Sequence, residues 1–340
     1  MGNSGSSPMG TGGSGTKQLS ERYFFQKVRL GQGSFGTVWR AVDRSSNLLV
    51  AIKQLDKASI RRRGFTLDAV QREVVMMRAC EHDHVTRVLD TFEDDTSIYM
   101  AQEYCNGGDF GDKLRERSLS ISEAEAVTWM HQMVSALDTM HAKGICHRDI
   151  KPDNFMIQET PSLGAGSCSL KLTDFGLAVY LPPGKLLTEK CGTPAFMPPE
   201  VHLLKRGSNG YDLVADMWAA GVIMYQVMHG GEHPFLSKTG GGVRLEEENL
   251  LKGHLEFRLE EGQNGQNGGK GGLRFSDDAK RLCRCMVEAD RRRRFTARDA
   301  IDDPWFRRDS LHVPSLNLKA LGAPQAQAQA QVQAQAQPQE

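Results

Sequence analysis

Neither sign of charge is in excess: 42 Lys+Arg stand against 42 Asp+Glu in 340 residues, a formal net charge of +0 at pH 7. Such a chain is not drawn as a whole to phosphate backbones or anionic lipid, so no nucleic-acid partner is expected. No apolar run approaches the ~20 residues of a membrane span; the longest near a helix is Met217 to Tyr225. The cysteines include no Cys-x-x-Cys pair, and Cys283 and Cys285, two apart, would leave a helix on different sides. A reduced intracellular protein follows as the expectation. No positively charged leader with an apolar core opens the sequence, so secretion is not expected and the cytoplasm is. What is abundant is glycine, 35 of 340 residues or about 10%, against a background of ~7%. Two arginine runs, Arg61 to Arg63 and Arg291 to Arg294, carry no interleaved aromatics and read as a solvated face or local ion pairs ahead of a nucleic-acid contact.

At ~150 residues per domain the length suits two units or one large two-lobed one. Residues 1–22, rich in Gly and Ser, read as a flexible tail, and residues 307–340, ending in an Ala-Gln repeat, as a low-complexity tail. The body between them divides near residue 104. Its first part holds short β-branched or alternating runs (Val38 to Val42, Leu48 to Ile52, Ile98 to Ala101) that predict strands, and one helix over about Thr66 to Cys80. Beyond Gly107 the period becomes helical. Ser122 with Glu125 forms a capping box, Val127, Met130, Val134, Leu137 and Met140 follow at helical spacing, and Gly144 stops the run. Further helices are predicted at about 212–229 and 276–287, and residues 237–272 read as a long surface loop around one short helix.

Gly31-Gln-Gly33-Ser-Phe-Gly36-Thr-Val38 lies between two predicted strands. Alone the pattern is weak; no helix follows it, which argues against a dinucleotide fold and leaves a plain glycine hairpin open. Fifteen residues after Val38, however, Lys53 closes the apolar strand Val50-Ala51-Ile52. Glycines let backbone N–H groups approach phosphate oxygens closely, and a lysine with a buried stem neutralises them. Glu73, on the helix twenty residues later, is placed to hold that ammonium. Next come His147-Arg148-Asp149-Ile150-Lys151-Pro152-Asp153-Asn154 and Asp174-Phe175-Gly176. Phosphoryl transfer needs a carboxylate to orient and deprotonate a hydroxyl, a cation beside the moving group and oxygen ligands for Mg²⁺. Asp149, Lys151, Asn154 and Asp174 supply that set. Cys191-Gly-Thr193-Pro-Ala-Phe-Met-Pro198-Pro199-Glu200 closes the segment.

In these motifs the sequence resembles the protein kinase family over about residues 23–306. The resemblance implies an α+β, two-lobed fold with a β-rich N-lobe (23–104), a helical C-lobe (105–306), ATP between them, and protein substrates. By it Gly31, Gly33 and Gly36 cover the phosphates, Lys53 pairs with Glu73, Asp149 is the catalytic base, and Asn154 and Asp174 hold magnesium. Lys151 and Thr193 match the serine/threonine branch, where tyrosine kinases place Arg and Ala. Val38 and Ala51 would pack on adenine, Glu103 to Cys105 would form the hinge with Gln102 as gatekeeper, and Asp109 would meet the ribose. Asp216 would cap the catalytic loop, and Arg294 would pair with Glu200. Pro198 departs from the usual Ala of the Ala-Pro-Glu triplet.

Arg148 is the arginine that, in many kinases, binds an activation-segment phosphate. Glu189 stands where that phosphate would fall, beside Thr188, so either a permanent carboxylate or a phosphorylated Thr188 could serve. Tyr104-Cys105-Asn-Gly-Gly-Asp109 and Phe92-Glu-Asp-Asp95 look like the calcium/calmodulin-dependent group, particularly calcium-dependent protein kinases. No Asp-x-Asp-x-Asp-Gly calcium loop occurs, which leaves calcium control outside the expectation. Asp109 and Asp153 suggest acceptors with an upstream basic residue, with Gln226 where a second acid is common. Gly2 opens an N-myristoylation pattern; if acylated, a single chain would bind membranes only weakly, and a monomer is otherwise expected. The alternative to an active kinase is a pseudokinase-like, nucleotide-binding scaffold.

Overall fold

The computed structural model describes residues 14–33, 36–62, 64, 66–116, 121–159, 168–205, 210–239, 242–257 and 275–307. The expectations for Gly2 and the rest of 1–13, for the Ala-Gln repeat and for residues 258–274 lie outside them.

After helix α1 (Ser14–Arg22), strands β1 (Tyr23–Gln32), β2 (Gly36–Asp43) and β3 (Leu49–Asp56) lead through helices α2 (Lys57–Arg62) and α3 (Leu67–Ala79) to β4 (Val88–Glu93) and β5 (Ser97–Glu103). The five strands make one antiparallel sheet in the order β1-β2-β3-β5-β4. Alternation along β3 sorts its residues by face. Val50 and Ile52 join Tyr23, Ala41, Tyr99 and Ala101 in one cluster, whereas Leu55 joins Ile60 of α2 and Val70 of α3 in another. Ala51 and Lys53 therefore share the α3 side of the sheet.

Residues 14–22 are not the flexible tail that their composition suggests. Leu19, 3% exposed, sits in the Tyr23 cluster, Arg22 pairs with Asp43 at 3.0 Å, and the Arg44 N–H donates to the Arg22 carbonyl at 2.9 Å. One buried leucine and ties on either side order a stretch poor in apolar residues.

The second half comprises α4 (Phe110–Arg115), α5 (Glu123–Ala142), the short strands β6 (Ile145–Cys146), β7 (Phe155–Glu159), β8 (Cys168–Leu172) and β9 (Val179–Tyr180), then α6 (Pro199–His202), α7 (Val214–Met228), β10 (Leu236–Thr239), β11 (Gly242–Leu245), α8 (Glu247–Lys252), α9 (Asp277–Met286) and α10 (Ala297–Ile301). The capping box of α5 is present in both directions: the Glu125 N–H donates to Ser122 Oγ at 3.3 Å and the Ser122 N–H to Glu125 Oε2 at 2.9 Å. Helix α7 is apolar nearly all round and is buried accordingly among α5 and α9. Where a loop with one short helix was expected, α8 is preceded by the β10–β11 hairpin, whose register pairs Leu236 with Leu245 and Lys238 with Val243.

Candidate active site

Two tight connections bring the chemistry-bearing residues together. In the β7–β8 pair, Phe155 faces Leu172 and the Thr173 N–H donates to the Asn154 carbonyl at 2.9 Å, so Asn154 and Asp174 become neighbours across twenty residues of chain. From below, Asp216 of α7 accepts the backbone N–H groups of His147 (2.8 Å) and Arg148 (2.9 Å), and His141 Nε2 lies 3.0 Å from it. Burial by itself would raise the Asp216 carboxyl, but the His141 hydrogen bond and the neighbouring imidazoles hold it below the ordinary carboxylate range. Arg148 (φ 68°) and Asp174 (φ 60°) occupy left-handed conformations that cost non-glycine residues of order 1–3 kcal/mol each. Both flank the cluster centred on Asp149, and surrounding hydrogen bonds hold Arg148 there.

Four side chains converge at that centre. Asp149 receives Lys151 Nζ at 2.7 Å on one carboxylate oxygen and the Thr193 hydroxyl at 2.7 Å on the other. Lys151 Nζ also reaches Thr193 Oγ1 at 3.2 Å, and Asn154 Nδ2 donates to the Asp149 carbonyl at 2.8 Å. The amide of Asn154 is thereby oriented, leaving its oxygen for another partner. His147 is fully buried; its Nδ1 accepts the Asp149 N–H (3.3 Å), its Nε2 faces the Thr173 carbonyl (3.2 Å), and its ring meets Phe175 edge-on at 5.0 Å.

Across the cleft, Lys53 Nζ lies 2.8 Å from Glu73 Oε1 and 3.0 Å from Asp174 Oδ1, a three-point arrangement that joins β3, α3 and the turn after β8. Burial would lower the lysine, but the two carboxylates outweigh it and hold the ammonium charged; reciprocally Lys53 pulls the Asp174 carboxyl down to about 2. Asn154 and Asp174 thus offer one amide and one carboxylate oxygen side by side, the hard donor set suited to magnesium. Among the described residues no group of three or more His, Cys, Asp or Glu could hold a metal ion.

The glycine segment divides by role. A Cβ on Gly36 would collide with the Gln54 carbonyl of β3, so that glycine serves strand packing; nothing lies within 4 Å of a Cβ on Gly31, and only the Gly36 carbonyl, at 3.9 Å, near one on Gly33. Val38 is paired with Lys53, and Ala51 with Gln102. At the expected hinge, Glu103 is tied through its carboxylate to Lys171 Nζ (3.0 Å) and the Arg87 N–H (2.7 Å), while no backbone carbonyl among the described residues accepts the Cys105 N–H. Burial pushes the Cys105 thiol up to about 12, so it stays protonated. At the expected gatekeeper position, buried Gln102 places Nε2 3.2 Å from Met100 Sδ and 3.4 Å from Met77 Sδ, two soft acceptors. Asp109 turns its carboxylate to the Asp112 N–H (2.7 Å) as the N-cap of α4, a task sequence reasoning did not give it.

On the activation side, Arg148 donates from Nη1 to Glu189 Oε2 at 2.8 Å and from Nε to the Leu177 carbonyl at 2.6 Å. Thr188 beside it is exposed. Pro198 leaves the next contact intact, since Arg294 grips Glu200 with Nη1 at 2.6 Å and Nη2 at 2.9 Å. Within the arginine run, Arg291 also pairs with Asp212 and Arg293 with Glu288. His141, Lys171, Tyr211 (whose hydroxyl donates to the Glu189 carbonyl at 2.8 Å) and Arg115 were not singled out beforehand; of these, only Arg115, three residues after Asp112, left a mark in the spacing.

The model of the protein kinase domain family matches residues 24–306. Curated relatives include calcium-dependent protein kinase 20 of Oryza sativa subsp. japonica, 32% identical over 290 residues (85% of this chain, 48% of the relative). Calcium-dependent protein kinase 11 of Arabidopsis thaliana is 32% identical over 291 residues (86% and 54%). Calcium-dependent protein kinase 3 of Plasmodium yoelii yoelii is 31% identical over 296 residues (86% and 49%). The chain spans about half the length of these relatives.

Proposed function

Because this chain belongs to the protein kinase domain family, we propose that it transfers the γ-phosphoryl group of ATP to serine and threonine hydroxyls of proteins, with an upstream basic residue favoured. The observation that carries the reading is the convergence of Lys151, Thr193 and Asn154 on Asp149. Asp149 orients the acceptor hydroxyl and takes its proton as the bond to phosphorus forms; Lys151 offsets charge on the transferred group. Lys53, steadied by Glu73, holds the nucleotide phosphates. Gly31 and Gly33 carry no side chain to stand between the glycine segment and those phosphates, the space beside both being open, and Val38, Ala51 and the Cys105 N–H receive the base. ATP and magnesium are what family membership implies; when bound, magnesium neutralises phosphate charge beside Asn154 and Asp174. A binding-only scaffold would have no use for a base held on three sides. Transfer of labelled γ-phosphate to a mixed protein substrate, followed by phosphoamino-acid analysis, should show phosphoserine and phosphothreonine; label on tyrosine alone, or none, would refute the reading.

We read Glu189 as the standing partner of Arg148, so that activity does not wait on phosphorylation of Thr188. Glu189 is 73% exposed, which reduces the pair to the ~0.2–1 kcal/mol of a surface ion pair. Phosphatase-treated protein should therefore retain its activity, and Glu189→Ala should lose about 1.5- to 5-fold in kcat/KM. Inactivity of the phosphatase-treated protein would make Thr188 the switch instead.

A further inference from the structure

The carboxylates that would receive an acceptor's basic residue are already engaged, and by a basic residue of this chain. Arg115, at the end of α4, places Nη1 2.9 Å from Asp153 Oδ1 and Nη2 2.8 Å from Asp112 Oδ1, with Asp109 Oδ1 3.7 Å away. The position is specific. Residue 111 is glycine, and a Cβ there would fall 2.8 Å from Asp153 Cγ and 3.1 Å from Arg115 Nη1, so a side chain at 111 would crowd the guanidinium off the catalytic-loop aspartate. Arg115 reads two carboxylates from different elements at once, one nitrogen to each, as a substrate guanidinium would. The contact is also electrostatically felt, the Asp112 carboxyl being held low chiefly by the Arg115 hydrogen bond. Yet the side chain remains 58% exposed, so it gives up only weak, solvent-screened ion pairs when it swings into water.

We propose that Arg115 is a specificity-determining residue that acts as an internal stand-in for the acceptor's upstream basic residue, which must displace it to reach Asp153 and Asp109. This rests on the reading that those aspartates select a basic residue, and it explains how a kinase with that acidic groove would show only a shallow preference. Arg115 touches neither the phosphoryl group nor Asp149, so its removal should alter KM for one class of peptide and leave kcat alone.

The test compares two acceptor peptides, identical except for Arg or Ala at the upstream position, on the full chain and on Arg115→Ala and Arg115→Gln variants that melt with the parent. Removal of Arg115 should lower KM for the Arg peptide about threefold or more, leave KM for the Ala peptide and both kcat values unchanged, and do so less at 0.5 M salt, where exposed charges are screened. If the parent already prefers the Arg peptide and neither variant changes the ratio, the inference on Arg115 falls while the basic preference stands. If neither parent nor variants distinguish the peptides, the reading of the acidic groove falls and the inference with it. A lowered kcat with both peptides would show a structural role for Arg115 and overturn the proposal.

Discussion

Asp149→Asn should bind nucleotide as the parent does and transfer phosphate about 10²- to 10⁴-fold more slowly, the range that a positioned proton acceptor contributes. Asparagine keeps the shape of the residue and can still meet the Thr193 hydroxyl and Asn154, whose contacts in the parent are 2.7 Å and 3.2 Å. What it loses is the ability to accept a proton and the charge that holds Lys151 Nζ at 2.7 Å. On the proposed reading the loss should fall on kcat, because hydroxyl deprotonation belongs to the transition state, whereas Lys53, which would hold the nucleotide phosphates, is tied to Glu73 and Asp174 and not to Asp149. Single-turnover transfer and a nucleotide titration on the same preparation separate the two. Equal transfer by parent and variant would overturn the assignment of Asp149, and joint loss of binding and transfer would point to a collapsed loop.

The largest effect on stability should come from Arg294→Ala, far from the cleft. Arg294 is fully buried at its side chain, bidentate on Glu200, and it also donates to the Glu288 carbonyl at 2.8 Å and the Val214 carbonyl at 3.2 Å, its guanidinium 5.1 Å from the Trp218 ring centre. Removing one partner of such a pair leaves an uncompensated buried charge, at a cost of about 3–5 kcal/mol. For a domain this size that corresponds to a fall in Tm of roughly 5–8 °C. Arg293→Ala supplies the control one residue away: its guanidinium is 75% exposed and 3.6 Å from Glu288, and the expected change is under ~1 kcal/mol. Thermal unfolding followed by circular dichroism distinguishes them, and equal shifts for the two variants would show that burial is not what gives Arg294 its weight.

Much of this was legible in one dimension because the signals are local. A capping box depends on residues three apart, so Ser122 and Glu125 announced the start of α5. Alternation marked β3, and the motif spacing marked Lys53, Glu73, Asp149, Asn154 and Asp174, which the fold brings into contact as Lys53 with Glu73 and Asp174 and as Asn154 with Asp149. Composition misled where a single side chain decided the outcome: residues 14–22 look like tail, yet Leu19 finds a pocket on the sheet. The β10–β11 hairpin was missed because four-residue strands leave too short an alternation to stand out.

The sequence by itself determines which residues can do chemistry here, since charge, hydrogen-bonding groups and backbone freedom belong to residue types and their spacing along the chain. Only the tertiary structure decides which charges meet. Arg148 meets Glu189, Lys171 meets Glu103, and Arg115 lies across Asp112 and Asp153, from elements whose separation in the chain bears no fixed relation to their distance in space. Burial, likewise a property of the packed molecule, then sets their weight: it makes Arg294 a keystone and Arg293 a surface charge, although the two are the same residue one position apart.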